Sequence, residues 1–196
     1  RAVALATAGY TPPGLSHRTR NRLMPILSNS IVTRPLTEEE KVACGAQTGS
    51  PLTDTRTLRQ YYRFLPDGRM QIGSRSAITG ADAENPKHLA LLQKGLTRKF
   101  PALEGIDLDY SWWGWVDVSH DMMPRIFQPD PAQAIFYAMG YGGNGVMYSA
   151  QAGRRMAQML AGKGAGLDLP IFTSPLPSHG ILTPFRRLSQ RLMYGW

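Results

Sequence analysis

A glycine-rich turn between an apolar run and a helical repeat constrains this chain more than any other feature. In "IFYAMGYGGNGVMYSAQAGRRMAQML", residues 135 to 160, glycine fills four of the six positions from Gly140 to Gly145. Gly140, Gly142 and Gly145 spell G-x-G-x-x-G between a strand-like and a helix-like segment, the letters of a dinucleotide fingerprint. Asp168 stands where such a fold would place a ribose-binding acid. The context argues against that role. "AGKGAGL", before Asp168, is not a second strand, and no further strand–helix alternation follows.

The backbone chemistry of the loop survives that rejection. Glycines admit a flat or anionic ligand close to the chain. A helix starting at Gly145 or Val146 presents free N–H groups and the positive end of its dipole. A tight turn packed on protein needs one or two glycines, so four favour a ligand contact.

With 196 residues, 42% of them hydrophobic, the chain can bury a core. Its net charge of +8 raises a basic polyanion- or nucleic-acid-binding module as the alternative function. The basic clusters "HRTRNR" (17 to 22) and "FRRLSQR" (185 to 191) are short and lie on amphipathic segments, so solvated helix faces account for them and no nucleic-acid partner is expected. The single cysteine, Cys44, excludes an internal disulfide and a cysteine zinc cage, and no metal is expected. No apolar run approaches the roughly 20 residues that span a bilayer, and no basic-then-apolar leader opens the chain, so a cytoplasmic location without a membrane partner is expected.

The opening "RAVALATAGY" lacks an initiator Met, and "AVALAT" reads as a buried strand ending in a glycine turn, which predicts a fragment whose first strand belongs to a preceding domain. "LSHRTRNRL" reads as a short helix, and an extended segment begins at Pro25. "TEEEKVA" (37 to 43) carries a capping box. "RTLRQYYRFL", the turn "PDG" and "RMQIGSR" predict a hairpin, with Asp67-Gly68 supplying the positive-φ turn. Leu89, Leu92, Leu96 and Phe100 recur at helical spacing over residues 86 to 100. "IDLDYSWWGWVDV" alternates as a strand, "PRIFQPDP" turns, "QAIFYAMG" is a second strand, and a helix follows until Gly162. The tail is proline-rich until a last short helix. Together these predict an α+β fold: a mixed, mainly antiparallel sheet with covering helices.

Four motifs carry a family resemblance. "VALATAGY", "YYRFLPDGRMQIG", "WWGWVDVSHDMMPRIF" and "GYGGNGVMYSAQAGRRMAQML" occur in order from residue 3 to about residue 161. They resemble the C-terminal half of FAD-dependent amine and amino-acid oxidases. That superfamily includes D-amino-acid oxidase, glycine oxidase and sarcosine oxidase, and the motifs are most similar to the gamma-glutamylputrescine oxidase-like group. The resemblance implies the end of an FAD-binding domain at residues 1 to 12 and a substrate-binding domain at 13 to 133. A return to the FAD domain would occupy 134 to 162, with a tail at 163 to 196.

The resemblance also implies site residues. Thr7, Ala8 and Gly9 would lie near the dinucleotide. Gly140, Gly142, Gly143, Asn144, Gly145 and Val146 would sit at the flavin ring, with the helix aimed at its pyrimidine edge. Asp121 and Pro124 would shape the wall beside it, although Asp121 serves equally well as a turn or salt-bridge residue. Some sarcosine oxidases attach flavin through a cysteine; this chain has Gly114 there, so noncovalent FAD is implied.

Tyr61, Tyr62 and Arg63 would belong to the sheet facing a small amine substrate, with Trp113 and Tyr141 completing the set. Alternation puts Tyr61 and Arg63 on one face and Tyr62 on the other. Arg63 could clamp a substrate carboxylate or pair with Asp67 or Glu84. Trp112, Trp113 and Trp115 could wall a cationic amine or serve as packing, with Trp113 and Trp115 on one face. His120 and Asp121 are adjacent, which rarely brings two side chains together. The implied activity is oxidation of a C–N bond by hydride transfer to flavin, then imine hydrolysis. No catalytic side chain is implied. The chain alone should hold FAD weakly or not at all, require a missing N-terminal FAD domain, and self-associate through exposed apolar surface.

Overall fold

The computed structural model describes residues 1–45, 49–164, 169, 171 and 174–195; Asp168 lies outside them. The described residues form eight strands in two sheets, with four α-helices. The strands are β1 (Val3–Leu5), β2 (Leu23–Thr33), β3 (Leu52–Thr53), β4 (Gln60–Phe64), β5 (Met70–Arg75), β6 (Leu108–Ser119), β7 (Arg125–Phe127) and β8 (Ile135–Met139). The helices are α1 (Glu38–Ala43), α2 (Pro86–Lys99), α3 (Gly145–Leu160) and α4 (Arg186–Tyr194). The mixed, mainly antiparallel α+β class expected from the sequence is the class observed.

The chain divides into two compact units. One holds Arg1–Ile26 and Trp115–Ser189; the other holds Leu27–Gly114 and Gln190–Trp196. Residues 13–26 and 115–133 thus group with the two chain segments that flank them rather than with residues 27–114.

The second unit is built on the sheet of order β3-β4-β5-β2-β6. Its centre is the predicted hairpin. Tyr62 pairs with Ile72 and Phe64 with Met70, while Gly68 takes φ 81° in the turn. α2 starts as Asn85 accepts the Lys87 amide and Pro86 fills the first turn; it then buries His88, Leu92, Gly95 and Leu96. Leu92 and Leu96 pack with Ile31, Phe64, Met70 and Ile72. α1 has the predicted capping box: Thr37 accepts the Glu40 amide and Glu40 accepts the Thr37 amide. A bidentate pair with Arg34 and the Thr37 amide hold the Glu40 carboxyl down to about 2.

The first unit has the sheet β1-β8-β7, in which β1 runs parallel to β8 and β7 antiparallel to it. α3 covers it through Ala152 and Met156, which pack on Ile126, Phe136 and Ala138. Gly162, at φ 69°, follows the helix end as expected.

Three local expectations are corrected here. The expected helix at residues 15 to 23 is a run of turns in which the Ser16 carbonyl accepts both Thr19 and Arg20 amides, and Asn21 adopts φ 59°, which ends helical propagation. Within the expected turn "PRIFQPDP", Arg125–Phe127 is strand, because it finds antiparallel partners on β8 and is wholly buried; the turn comes at Asp130–Gln133. β1 is not buried: among the described residues it pairs with β8 alone, and Val3 is 51% exposed.

Candidate functional site

The parallel pairing of β1 with β8 sets the geometry of the site. Parallel strands end at the same edge of a sheet, so the chain leaving β1 through Thr7, Ala8 and Gly9 emerges beside the chain leaving β8 through the glycine loop. Thr7 and Thr11 hydroxyls bond at 2.7 Å across a short 3-10 turn, and Ala8 holds φ 46°. Gly9 is buried against β6, and the Tyr10 hydroxyl accepts the Trp115 amide at 3.2 Å.

The glycine loop is built from left-handed backbone. Gly140, Gly142 and Gly143 take φ 87°, 62° and 99°, conformations that L side chains rarely adopt. At Gly140 a side chain would also meet Leu176 and Ser119, each at 3.2 Å. The loop delivers the chain into α3, whose first turn has no acidic residue and whose Asn144 makes no side-chain cap. Val146 and Met147 in that turn are 94% and 83% exposed. The first turn of α3 is therefore exposed at Val146 and Met147, and it carries no acidic side chain to offset the positive end of the helix dipole. Tyr141 is half-buried and leans towards Tyr148, with ring centroids 6.1 Å apart; burial pushes its hydroxyl up to about 12.

Asp117 holds the loop from below. Its carboxylate accepts the Gly140 amide and, at 3.2 Å, the Tyr141 amide; its carbonyl accepts the Gly142 amide at 2.8 Å. It is 2% exposed, and burial pushes its carboxyl above the ordinary range while the two amides act the other way. Sequence reading passed over this residue. The available signal was an acid in the apolar strand "WVDV", in phase with Trp113 and Trp115.

Asp121 and Pro124 follow β6. Asp121 accepts from Arg125 at 2.5 Å and from the Ser119 hydroxyl and Met123 amide at 3.1 Å each. Burial opposes its ionisation, but the guanidinium and these donors hold its carboxyl below the usual carboxylate range. The turn and salt-bridge role open to Asp121 is thus present in the structure, and Pro124 is buried beside it. His120 turns to His179 instead, with Nδ1 atoms 3.1 Å apart.

The tail completes the cradle. Leu176 is fully buried among Leu23, Phe127, Tyr137 and Met139, and its carbonyl accepts Arg22. Arg186 and Arg187 donate to the Leu23 and Pro25 carbonyls, at 3.1 and 2.8 Å.

The expected substrate residues Tyr61, Tyr62, Arg63 and Trp113 belong to the other unit. The Tyr61 ring lies across Gly73, where a Cβ would meet it at 2.4 Å, and its hydroxyl bonds Ser28 at 2.7 Å and Ser30 at 3.1 Å. Arg63 donates to Gln71 at 2.9 Å rather than to Asp67 or Glu84. Tyr62, on the opposite face, packs edge-on to Phe100 with Lys99 over its ring. Trp113 is half-buried and Trp112 exposed.

Residues 1–159 match the FAD dependent oxidoreductase (DAO) family. The chain is 30% identical over 171 residues to a probable oxidoreductase OrdL of Haemophilus influenzae, covering 85% of this chain and 37% of that protein. It is 28% identical over 166 residues to the gamma-glutamylputrescine oxidoreductase of Escherichia coli, covering 85% and 38%. In fold it is similar to glycine oxidase from Bacillus cereus, with TM-score 0.67, 19% identity and coverage of 83% of this chain and 43% of that one. The chain thus spans less than half the length of these relatives. By its residues 1–159, with the glycine loop and most of α3 inside the match, the chain belongs to the FAD-dependent oxidoreductase (DAO) family.

Proposed function

We propose that the protein carrying this chain oxidises the C–N bond of a small amine or amino acid, of the gamma-glutamylputrescine type, with noncovalently held FAD. One observation carries the reading: a left-handed glycine loop opens into the exposed, acid-free first turn of α3, beside the turn that follows β1. That edge fits a flavin. Glycine backbone admits a flat ring, and the helix end favours negative charge without a titrating side chain.

FAD, when bound, would supply the two-electron acceptor for the bond between the amine and its carbon, and the imine product would hydrolyse in water. The residues of this chain bind and orient. Gly140, Gly142, Gly143, Asn144, Gly145 and Val146 would hold the ring edge, with Thr7, Ala8 and Gly9 beside them. Asp121, through Arg125, braces the segment leading into β7. Tyr61 and Arg63, on one face of β4, and Trp113 and Tyr141 are assigned to the substrate. The names of similar proteins support an amine substrate: gamma-glutamylputrescine oxidoreductase, glycine oxidase and, with TM-score 0.68, an L-proline dehydrogenase.

Gly114 offers no sulfur for attachment, and Cys44 caps α1, where burial pushes its thiol up. Noncovalent FAD and a cytoplasmic location accord with one free thiol. Activity is assigned together with the remaining length of the relatives, which would supply the rest of the FAD site.

The test is an absorbance spectrum of the holoprotein, followed by anaerobic titration with gamma-glutamylputrescine, glycine, sarcosine and proline. Bleaching of a flavin band by one of these is expected. A colourless protein that binds random DNA in a salt-dependent way would replace this reading with polyanion binding.

A further inference from the structure

We infer that Asp117 is a positioning residue for the flavin-facing loop, holding three successive loop amides and thereby fixing where α3 aims its N-terminus. The inference rests on the flavin reading above and adds a role for a residue outside the glycine motif.

Asp117 is the only buried acid among the described residues. A buried carboxylate persists only where donors replace the water it loses. No cation pairs with it among the described residues; Gly140 and Tyr141 supply donors to its two oxygens. Left-handed torsions at Gly140 and Gly142 help turn consecutive N–H groups to one side, the geometry of an anion nest. Here the anion comes from the protein. The Gly142 amide adds a third contact, to the Asp117 carbonyl at 2.8 Å, so β6 and the loop are joined at three consecutive residues. A side chain at Gly140 would press on Leu176 and Ser119, each 3.2 Å from the position of its missing Cβ.

Asp117→Asn keeps the shape and one acceptor oxygen, but it removes the negative charge under the loop and turns an NH2 donor towards one of the two amides. Asp117→Ala removes both acceptors and the charge.

The experiment uses the flavin-loaded holoprotein and reads the flavin dissociation constant and midpoint potential at about pH 9, well above the ordinary carboxylate range. The expected result has two parts. Asp117→Asn binds flavin within about threefold of wild type but with a more positive midpoint potential, because a fixed negative charge near the reduced cofactor is gone; Asp117→Ala weakens flavin binding about tenfold. If Asp117→Ala does not fold, Asp117→Asn decides alone. Flavin affinity and midpoint potential both unchanged in the folded variants overturn the inference while leaving the flavin reading intact. A wild-type holoprotein without flavin overturns both.

Discussion

Gly9 and Trp115 pack backbone to side chain: a Cβ built on Gly9 would lie 2.8 Å from the Trp115 Cβ and 2.9 Å from its carbonyl carbon. Neither neighbour is the flexible end of a side chain. Gly9→Ala must therefore push the turn after β1 away from β6, at a cost of about 1–3 kcal/mol. Tyr10→Phe, which removes only the acceptor of the Trp115 amide, should cost about 0.5–1.5 kcal/mol. Urea unfolding of the two variants checks the order; a Gly9→Ala protein as stable as wild type would show that the close approach is not maintained in solution.

The legible elements were those whose signals are local. The capping box of α1, the Asp67-Gly68 turn and the Pro86 start of α2 each depend on residues a few positions apart, and each formed as read. β7 was missed because "PRIF" carries no alternation of its own; it is strand by virtue of β8, and both of its faces are buried. The glycine loop was legible as a turn before a helix, and three of its glycines take the positive φ that glycine permits. What holds the loop was not. Asp117 and Leu176 reach it from elsewhere in the chain, and one acid or one leucine carries no spacing that could announce a contact with Gly140.

Leu176 predicts a tail that matters to the loop. It lies beyond the residues matched to the family, yet it is fully buried and touches the space under Gly140. Leu176→Ala should cost about 2–5 kcal/mol through the cavity left among Leu23, Phe127, Tyr137 and Met139. Hydrogen exchange should quicken at residues 140–145 as well as in the tail. Faster exchange in the tail alone would mean that the loop holds without it.

The His120–His179 contact predicts acid lability of the same tail. One imidazole must donate to the other at 3.1 Å, which requires at least one neutral ring. Burial, the neighbouring His120 and Arg186 push the His179 imidazole below its ordinary value, and its Nε2 has no partner among the described residues. A histidine depressed in the folded state stabilises fully above its unfolded pKa of about 6.5 and loses that contribution as pH falls through the lower folded value. Asp121 offers no rescue, since its carboxylate is engaged by Arg125. Limited proteolysis, scaled to an unstructured substrate, should cut the tail faster at about pH 5 than at about pH 7.5. In His179→Phe the difference should vanish; a difference that persists there would place the titrating group elsewhere.

Val146 gives the sharpest separation of fold from cofactor. At 94% exposed in the first turn of α3, it contributes little packing, and an acid there suits the helix dipole. On the fold alone, Val146→Glu should leave the melting temperature unchanged or raise stability by about 0.3–1 kcal/mol. If α3 points its N-terminus at a flavin, the same carboxylate repels the negative charge gained on reduction. Flavin binding should weaken, more for the reduced form than for the oxidised, and the midpoint potential should fall. Val146→Gln controls for size and should leave the potential near that of wild type. Melting and potential are then expected to move independently in the Glu variant. A potential unchanged beside a preserved fold would mean that α3 faces something other than the flavin, whatever the glycine loop binds.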